Sequence, residues 1–336
     1  MLTPRRARGS AAEAPGRGLG LKVIHGIEAV DPPINGTVLT VGNFDGVHRA
    51  HRKLLAHARE LANETHAPMV VLTFEPHPLT VVAPQKAPPR LTVAADKIRF
   101  LEEAGADIVV VARSEPRLLG LEAEDFVRDV LVRRFKPSHL VEGPSFGFGR
   151  GRQGNTELLA RLASTYGYRL HEVDPVTVTL DDGSQAMVSS SLIRRLILER
   201  NVERAADCLT RPHALVGTVV RGDGRGRTIA FPTANLEILD QLPPGDGVYA
   251  GRTWVVNRTY PSAINVGPAP TFDAANRRVE SHLLDFQGDL YGQTLRVEFQ
   301  SFLRNQHRFG SAEALTAQLR TDVANVRNRL CQGGNE

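Results

Sequence analysis

The chain has 336 residues, of which 41% are hydrophobic and 23% are charged, and its formal net charge is +4. This composition is typical of a globular protein, and at roughly 150 residues per domain the length predicts two domains. No apolar run reaches the ~18 residues that a membrane-spanning helix needs. Two distant cysteines exclude a disulfide scaffold or a cysteine-rich zinc site and fit a reducing compartment.

The start of the chain, "MLTPRRARGSAAEAPGRGLG", is rich in arginine, alanine and glycine. It holds no apolar stretch of the kind that a signal peptide requires. We predict that residues 1–20 form a disordered tail.

Residues 21–208 alternate short apolar runs with longer amphipathic patterns. The predicted strands lie at 37–42, 69–74, 107–112, 139–143 and 169–173. Helical patterns such as "HRKLLAHARELANE" and "NTELLARLASTYG" separate them. Nearly continuous apolar strands between helices indicate a parallel sheet that is covered on both faces. Ligands of such sheets bind beyond the carboxyl ends of the strands, so the loops there are expected to carry a site.

The pattern changes near residue 210. Residues 212–330 hold short segments rich in valine, threonine and phenylalanine, which are broken by glycine, proline and asparagine. These segments predict an antiparallel barrel or sandwich. The last run, "SAEALTAQLRTDVANVRNRL", starts with Ser311 as an N-cap and predicts a closing helix. The expected fold class is therefore an α/β half followed by a β half.

Two histidines follow the first predicted strand. In "TVLTVGNFDGVHRAHRKLL" the strand ends at the turn "GNFDG", and His48 and His51 open the next helix three residues apart. On a helix they share one face, and the free N–H groups and the helix dipole there favour an anion. Two imidazole donors at that end suit a triphosphate during nucleotidyl transfer. The alternative is a pair of surface histidines on an amphipathic helix.

A second helix start carries hydroxyl groups and an arginine. The segment "VSSSLIRRL" places Ser189, Ser190 and Ser191 ahead of a helix, with Arg194 one turn in. Hydroxyls and a guanidinium can bind phosphate oxygens at a helix N-terminus. The same residues are equally consistent with a plain N-cap followed by a basic helix.

Aromatic residues occur in two loops of this half. "TFEPHP" brings Phe74 and Pro76 after a predicted strand, and "SFGFGRGRQGN" brings Phe146 and Phe148 beside glycines and arginines. The first segment stands where a ligand-binding loop is expected, and the second could line a pocket for a flavin and a phosphate. Alone, each segment is also consistent with a loop that binds nothing.

In their order along the chain, these segments resemble the adenylyltransferase half of the bacterial bifunctional riboflavin kinase/FAD synthetase family. The resemblance implies a Rossmann-like nucleotidyltransferase domain over residues 21–208, in which His48 and His51 contact ATP phosphates. It also implies that Ser189, Ser190 and Arg194 hold the triphosphate. The other implied contacts are with the nucleotide, at Gly42, Asn43, Phe44 and Asp45, and with the flavin, at Phe74, Pro76, Phe146 and Phe148.

Four positions depart from the family pattern. Ala50 replaces the glycine between the two histidines and adds a methyl group that could crowd the nucleotide. Ser191 and Leu192 stand where threonine and arginine are usual, and Ser145 stands where aspartate or asparagine is usual. These departures leave open an adenylyltransferase half that is weakened or inactive.

The second half contains a loop rich in glycine and arginine, "RGDGRGRTIAFPTAN". It is neither a P-loop nor a dinucleotide fingerprint. Its glycines allow close backbone approach, and their N–H groups can cradle phosphates. Thr233 and Asn235 point to one side of an extended segment, and their oxygens suit Mg²⁺. The alternative is an ordinary turn that contains proline.

A carboxylate follows in "VESHLLDF". Glu280 can act as a general base when a primary alcohol attacks the γ-phosphate of ATP. The commoner alternative for such a residue is a strand glutamate that faces solvent.

From about residue 212 to 328 the chain closely resembles the riboflavin kinase domain of the same family, through "GVYAG", "AINVGPAPTF" and the segments just described. The resemblance implies a six-stranded antiparallel barrel that binds riboflavin and Mg-ATP. It implies that Thr233 and Asn235 hold the metal and that Glu280 is the base. The expected ATP contacts in this half are Gly222, Arg227 and Pro232. Ala230, in the same loop, replaces a glycine of the family.

The sequence thus predicts a cytoplasmic bifunctional enzyme that makes FMN from riboflavin and ATP, and then FAD and pyrophosphate from FMN and ATP. Its expected cofactor is Mg²⁺, and its expected partners are these small molecules, without nucleic acid or membrane. The oligomeric state stays open between a monomer and a weak homo-oligomer. Two alternatives remain, a riboflavin kinase without adenylyltransferase activity and a non-catalytic flavin- or RNA-binding regulator.

Overall fold

The computed structural model describes residues 20–222, 231–268 and 277–331. The predicted tail lies outside the described residues except for Gly20. Arg227 and Ala230 of the predicted ATP loop also lie outside them.

The first half is built on a parallel sheet. Its strands are β1 (Lys22–His25), β2 (Thr37–Val41), β3 (Met69–Glu75), β4 (Ile108–Arg113), β5 (Pro137–Glu142) and β6 (Arg169–Glu172). They lie in the order β1-β4-β3-β2-β5-β6, and every neighbouring pair is parallel. The sequence analysis missed β1, because this edge strand buries a single residue and has no long apolar run. The parallel sheet itself is confirmed.

Helices cover both faces of this sheet. The helices of this half are α1 (Arg49–Glu64), α2 (Pro78–Val82), α3 (Ala94–Glu103), α4 (Pro116–Leu119), α5 (Ala123–Asp125), α6 (Arg133–Phe135), α7 (Thr156–Tyr166), α8 (Ser190–Leu198) and α9 (Val202–Leu209). A π-helical turn, Phe126–Val132, joins α5 to α6. One apolar core lies between the sheet and helices α1 and α3, and another lies between the sheet and α7 with the π-helical turn. Strands buried on both faces have side chains in both cores, which explains their continuous apolar runs.

A small layer connects the two halves of the chain. The antiparallel ribbon of β7 (Thr177–Thr179) and β8 (Gln185–Met187) precedes α8 and α9. These two helices bury their apolar faces in one cluster, which also contains Leu91 from the first half and Leu242 from the second. The halves are therefore joined by a shared apolar cluster as well as by the chain itself.

The second half is a closed antiparallel barrel. Its strands are β9 (His213–Val220), β10 (Ala234–Ile238), β11 (Gly247–Val255), β12 (Arg258–Pro268), β13 (Arg277–Leu283) and β14 (Thr294–Arg304). They close in the order β10-β13-β12-β11-β14-β9, which selects the barrel over the sandwich. The closing helix α10 (Ala312–Cys331) packs outside the barrel through Val326 and Leu330. The predicted fold class is thus confirmed. No helix of the described residues is both long and apolar enough to cross a membrane.

Candidate active sites

The turn between β2 and α1 is a tight reversal with unusual backbone angles. Phe44, Gly46 and Val47 have positive φ values of 47°, 86° and 36°. Glycine adopts this region freely, whereas phenylalanine and valine need surrounding structure to hold them there. Both side chains are buried in the core under α1, so packing supplies that restraint. The turn is therefore a fixed platform at the carboxyl end of β2.

The structure brings the two predicted histidines together at the start of α1. His48 is the N-cap, and its Nδ1 accepts the backbone N–H of His51 at 3.4 Å. The two imidazoles stack with 3.6 Å between ring centroids, and the rings of His51 and Phe44 meet at an interplanar angle of 62°. Nδ1 of His51 is buried and has no hydrogen-bond partner among the described residues. Ring nitrogens of the two imidazoles therefore remain able to form hydrogen bonds with a ligand at this helix N-terminus.

Both imidazoles are neutral at pH 7. Burial, together with the positive charges of Arg211 and Arg194, lowers the pKa of His48 to about 3. Burial also lowers the pKa of His51 well below its usual value, with His48 contributing. Since the unfolded pKa is near 6.5, the neutral rings contribute stability above that pH, and this contribution is lost as the pH falls below it. A neutral imidazole can still donate one N–H to a phosphate oxygen.

The N-terminus of α8 reaches the same turn. Ser189 caps this helix by accepting the N–H of Leu192, and the Ser190 hydroxyl donates to the carbonyl oxygen of Asp45 at 2.9 Å. The Arg194 guanidinium donates to the Asp45 carboxylate and to the carbonyl oxygen of Pro89. The predicted phosphate-binding groups therefore do converge on the turn. Ser190 and Arg194 are both bonded to Asp45, so a phosphate that binds Arg194 must compete with this carboxylate.

Asp45 organises the surroundings of the turn. Besides Arg194, its carboxylate accepts the backbone N–H groups of Leu91 and Thr92 at 3.0 and 3.2 Å. Charge-assisted bonds of this kind are about twice as strong as neutral ones. The sequence predicted Asp45 as part of the turn, but not its tie to residues 89–92. That tie links three segments that are far apart in the chain.

The four positions that depart from the family pattern fall into two structural environments. Ala50 packs against the apolar cluster of α8 and α9, so its methyl group is used in packing. Leu192 is buried in that same cluster. Ser191 and Ser145 are exposed. The structure thus gives each apolar replacement a packing role and places the two serines in solvent.

Lys97 is a site residue that the sequence analysis missed. Its ammonium group is buried, donates to the carbonyl oxygen of Phe74 at 3.0 Å and pairs with Glu75 at 3.2 Å. It also reaches the carbonyl oxygen of Asn43 at 3.4 Å. Burial lowers the pKa of Lys97, while the charge of Glu75 opposes that shift. Lys97 therefore fastens the ends of β2 and β3 to each other, and no local pattern in the sequence signals this.

Two further residues support the turn from outside its own segment. Arg211, just before the barrel, donates to the carbonyl oxygens of Gly46 and Val47 and lies over the ring of Phe100. Glu142, at the end of β5, is buried and accepts the N–H of Val41 at 2.8 Å. Burial raises the pKa of Glu142 well above its usual value. Both residues position the turn through tertiary contacts that sequence spacing does not reveal.

The predicted flavin-binding aromatics fall into two groups. Phe148 is buried and packs on Phe126, so it belongs to the core. Phe146 stacks on Phe148 with 5.2 Å between centroids and is partly exposed, as is Phe74. Pro76 is exposed, and its carbonyl oxygen accepts the Ser114 hydroxyl. Of this set, Phe74 and Phe146 offer ring surface to a ligand.

A cavity of about 370 Å³ opens beyond the ends of β1 and β4. Its apolar wall is formed by Ile27, Leu118, Leu121 and Val130, and Arg113 is among the charged residues at its rim. Leu118 and Leu121 pack on the same core as Phe74 and Phe146. The volume lies within the usual range for a small-molecule pocket. The sequence analysis did not identify this wall.

The barrel carries a row of polar residues on its outer surface. Asn235 of β10 pairs directly with Glu280 of β13, which pairs in turn with Asn265 of β12. Their chain neighbours Val279 and Ser281 point into the barrel and are buried. Directly paired residues have Cβ atoms about 5 Å apart. The predicted base and one predicted metal ligand therefore lie side by side.

Asn235 has unused binding capacity. Its Oδ1 is buried and makes no hydrogen bond among the described residues. Gly222 lies directly against this side chain, and a Cβ there would collide with the amide. An amide oxygen without a partner, beside the Glu280 carboxylate, fits the hard oxygen ligands that Mg²⁺ prefers. Within the described residues, no group of three or more His, Cys, Asp or Glu side chains could hold a metal.

The other predicted barrel residues surround this row. Thr233 is exposed just before β10, and Pro232 accepts a hydrogen bond from His282 Nδ1 at 2.8 Å through its carbonyl oxygen. His282 is two residues beyond Glu280 on the same face of β13, and the sequence analysis did not select it. Arg278 lies on the other side of Glu280, with its guanidinium 3.6 Å from the carboxylate. The row is therefore flanked by basic groups.

Two family models match the chain. The model described as FAD synthetase matches residues 31–191, and the model described as riboflavin kinase matches residues 209–330. The turn with the paired histidines lies in the first match. The polar row of the barrel lies in the second.

Curated relatives match both halves together. The bifunctional riboflavin kinase/FMN adenylyltransferase of Escherichia coli K12 is 38% identical over 309 residues, which make up 91% of this chain and 97% of the relative. The protein of the same description from Haemophilus influenzae is 34% identical over 304 residues, 90% and 97% of the two chains. A crystal structure from Streptococcus pneumoniae, described as a macrolide-efflux protein, has a TM-score of 0.79 and 29% identity, and covers 92% of this chain and 99% of that one.

Proposed function

This chain belongs to the bifunctional riboflavin kinase/FMN adenylyltransferase family, and from that premise we propose how its residues divide the two activities. The chain is an enzyme that phosphorylates riboflavin to FMN and transfers the adenylyl group of ATP to FMN. Adenylyl transfer is assigned to the parallel-sheet half, and riboflavin phosphorylation is assigned to the barrel. The supporting observation is that two separate polar sites lie on two folds, each matched by the model of one activity.

Adenylyl transfer joins a phosphate oxygen of FMN to the α-phosphorus of ATP and expels pyrophosphate. The neutral rings of His48 and His51 donate N–H groups to phosphate oxygens, where negative charge increases in the transition state. The free backbone N–H groups at the start of α1 add to this stabilisation. Arg194 contributes once the phosphates displace part of its pairing with Asp45. No covalent intermediate on the chain is required.

Riboflavin phosphorylation joins the primary alcohol oxygen of the flavin to the γ-phosphorus of ATP and releases ADP. Glu280 accepts the alcohol proton, which is the role of a general base. Mg²⁺ would be held by Asn235 and Thr233, and it supplies charge neutralisation at the phosphates when bound. The Asn235 oxygen, which has no hydrogen-bond partner within the described ranges, supports this placement. Gly222, Arg227 and Pro232 complete the ATP loop in this assignment.

For the flavin of the first half, the proposed pocket combines Phe74 and Phe146 with the cavity beyond β1 and β4. Its apolar wall suits the flavin ring, and the neighbouring turn receives the phosphate.

We assign residues 21–208 and 212–330 to the two domains. The use of ATP by both favours a cytoplasmic enzyme, and a monomer or a weak homo-oligomer is the proposed state.

A product assay tests the bifunctional assignment. The full chain is incubated with riboflavin, ATP and Mg²⁺, and FMN and FAD are separated over time. We expect FMN first, then FAD with an equal release of pyrophosphate. FMN without FAD, even when FMN is supplied, would support the kinase alone. Flavin binding without ATP turnover would support a regulator.

The pH dependence of FAD formation follows from the neutral histidines. The pH dependence of kcat/KM reports the ionisable groups of the free enzyme. Since both imidazoles are already neutral there, kcat/KM for ATP should not fall through imidazole deprotonation as the pH rises from about 6 to 8. The measurement is pyrophosphate release at constant ionic strength for the wild type and for His48→Asn. The protonation of ATP itself affects the wild type and the variant equally, so it cancels when the two pH profiles are compared. A decline near the ordinary histidine pKa that only the wild type shows would contradict neutral imidazoles.

The position of Ala50 gives a second expectation. Its methyl group packs on the α8–α9 cluster, so Ala50→Gly should change the KM for ATP in FAD formation by less than about twofold. The variant should instead lower the unfolding temperature, because glycine in a helix costs up to about 1 kcal/mol. Steady-state kinetics and thermal unfolding measure the two effects. A large fall in KM would mean that the methyl group does crowd the nucleotide.

A further inference from the structure

The barrel touches the first half at a short backbone contact. The N–H of Arg90 donates to the carbonyl oxygen of Asp240 at 2.8 Å, and the N–H of Leu242 donates to the carbonyl oxygen of Arg90 at 2.9 Å. Arg90 and Gln241 thereby form an isolated parallel β-bridge. The barrel loop Asp240–Leu242 thus binds one edge of residues 89–92.

The other edge of residues 89–92 holds the turn of the adenylyltransferase site. Leu91 and Thr92 donate their N–H groups to the Asp45 carboxylate. Pro89 accepts from Arg194, the predicted triphosphate ligand. The same four-residue segment therefore lies between the barrel and the groups that hold the turn.

The barrel loop is itself firmly held. The Gln241 amide accepts the N–H of Val216 at 2.8 Å and donates to the carbonyl oxygen of Ala214 at 3.2 Å, both on β9. The ring of His213 contacts the carbonyl oxygen of Leu242 at 2.9 Å. Gln241 and Leu242 are both buried. A loop fixed in this way transmits the position of the barrel to the segment bound to it.

Apolar packing adds to the backbone contact. Leu242 lies in the cluster of α8 and α9 together with Leu91, Leu192 and Ile193. Leu91 is the residue whose N–H binds Asp45, and Leu192 lies in the first turn of the helix that carries Arg194. One barrel side chain therefore packs in the same cluster as both elements that position the phosphate-binding groups.

We propose that the barrel loop Asp240–Leu242 is a structural part of the adenylyltransferase site and that Leu242 is a positioning residue for FMN adenylylation. It acts through Leu91 and the residue 89–92 segment on Asp45 and Arg194. This inference rests on the proposed roles of those two residues. Its consequence is that a change on the kinase barrel, outside the polar row of Asn235, Glu280 and Asn265, alters the other reaction.

The test is Leu242→Ala in the full chain. We expect the KM for ATP in FAD formation to rise about tenfold, because small displacements of positioning groups have large kinetic effects. Riboflavin phosphorylation should change by less than about twofold, since sites without shared partners behave independently. Both rates are measured on the same preparation. Hydrogen exchange at residues 89–92 should become faster, because their bonds to Asp45 loosen.

Two matched variants separate positioning from general destabilisation. Leu239→Ala changes a side chain that is 71% exposed next to the same loop, and it should alter neither reaction. Leu242→Ile restores the apolar volume and should return the KM to within about threefold of the wild type. An unchanged KM in folded Leu242→Ala, or an equal loss of both activities, overturns the inference. If Leu242→Ala does not fold, the ratio of the two activities in Leu242→Val decides.

A failure of the proposed coupling can be told apart from a failure of the proposed adenylyltransferase site. If His48 and His51 are not the adenylyltransferase site, their replacement leaves FAD formation unchanged whatever Leu242→Ala does. If replacing the histidines abolishes FAD formation but Leu242→Ala has no effect, the site stands and the coupling to the barrel is rejected.

Discussion

Replacing Glu280 with glutamine is expected to lower riboflavin phosphorylation by about 10²–10⁴-fold, the range of a lost general base. FAD formation from supplied FMN should stay within about twofold of the wild type, because Glu280 has no contact with the adenylyltransferase turn among the described residues. Glutamine keeps the size of the side chain and its place between Asn235 and Asn265 on the barrel surface. It cannot accept the proton of the alcohol. The initial rates of FMN and FAD formation measure the two effects, and Glu280→Ala should show the same separation.

The control for Glu280 lies on the adjacent strand. Glu237 of β10 is exposed, lies two residues beyond Asn235 on the same face, and pairs with Thr218 of β9. Glu237→Gln makes the same change in charge on the same barrel, so it should leave both reactions unchanged. If Glu280→Gln retains most of the kinase rate, Glu280 is not the base. Equal losses in the two glutamine variants would point to net charge as the cause.

The sequence predicted those strands well whose own residues form a long apolar run. Strands β2 to β5 lie inside the sheet, so their apolar runs are long and their identity is clear. The edge strand β1 has only four residues, and its sequence shows too little alternation of apolar and polar residues to predict a strand. The closed barrel followed from the resemblance, since short strands alone are equally consistent with a sandwich.

The candidate sites were predictable only in part, for the same reason. His48 and His51 are neighbours on one helix turn, so spacing alone brings them together. Lys97 and Arg211 reach the turn from distant parts of the chain, and their roles depend on how the helices pack. The pairing of Arg194 with Asp45 is likewise tertiary, so the sequence predicted a free phosphate ligand where the structure has a salt bridge.

The barrel site shows how register adds to sequence. Asn235 and Glu280 are far apart in the chain, and their direct pairing follows from closure of β10 onto β13. The resemblance assigned them to one site, but it gave no reason for their proximity. The Asn235 oxygen lacks a hydrogen-bond partner in the part of the chain that the structure describes, and no motif indicates this.

Replacing both His48 and His51 with alanine is expected to lower FAD formation by at least about 10³-fold, because each lost donor at a developing negative charge costs about 10²–10³-fold and the two effects are not fully additive. Riboflavin phosphorylation should remain near the wild-type rate, since the histidines lie in the other half of the chain. FAD and pyrophosphate formation from supplied FMN, and FMN formation from riboflavin, are the measurements. A loss of both reactions in a folded double variant would refute the assignment of two sites.

The alanine variant also removes a helix cap, and this effect has to be separated from catalysis. His48 Nδ1 accepts the N–H of His51, and losing an N-cap costs about 1 kcal/mol of stability. Asparagine at position 48 restores a strong cap but lacks the imidazole Nε2. His48→Asn/His51→Asn should therefore unfold near the wild-type temperature and still fail to make FAD. Recovery of FAD formation in that variant would show that the histidines serve the helix, and that the phosphates are held by other groups.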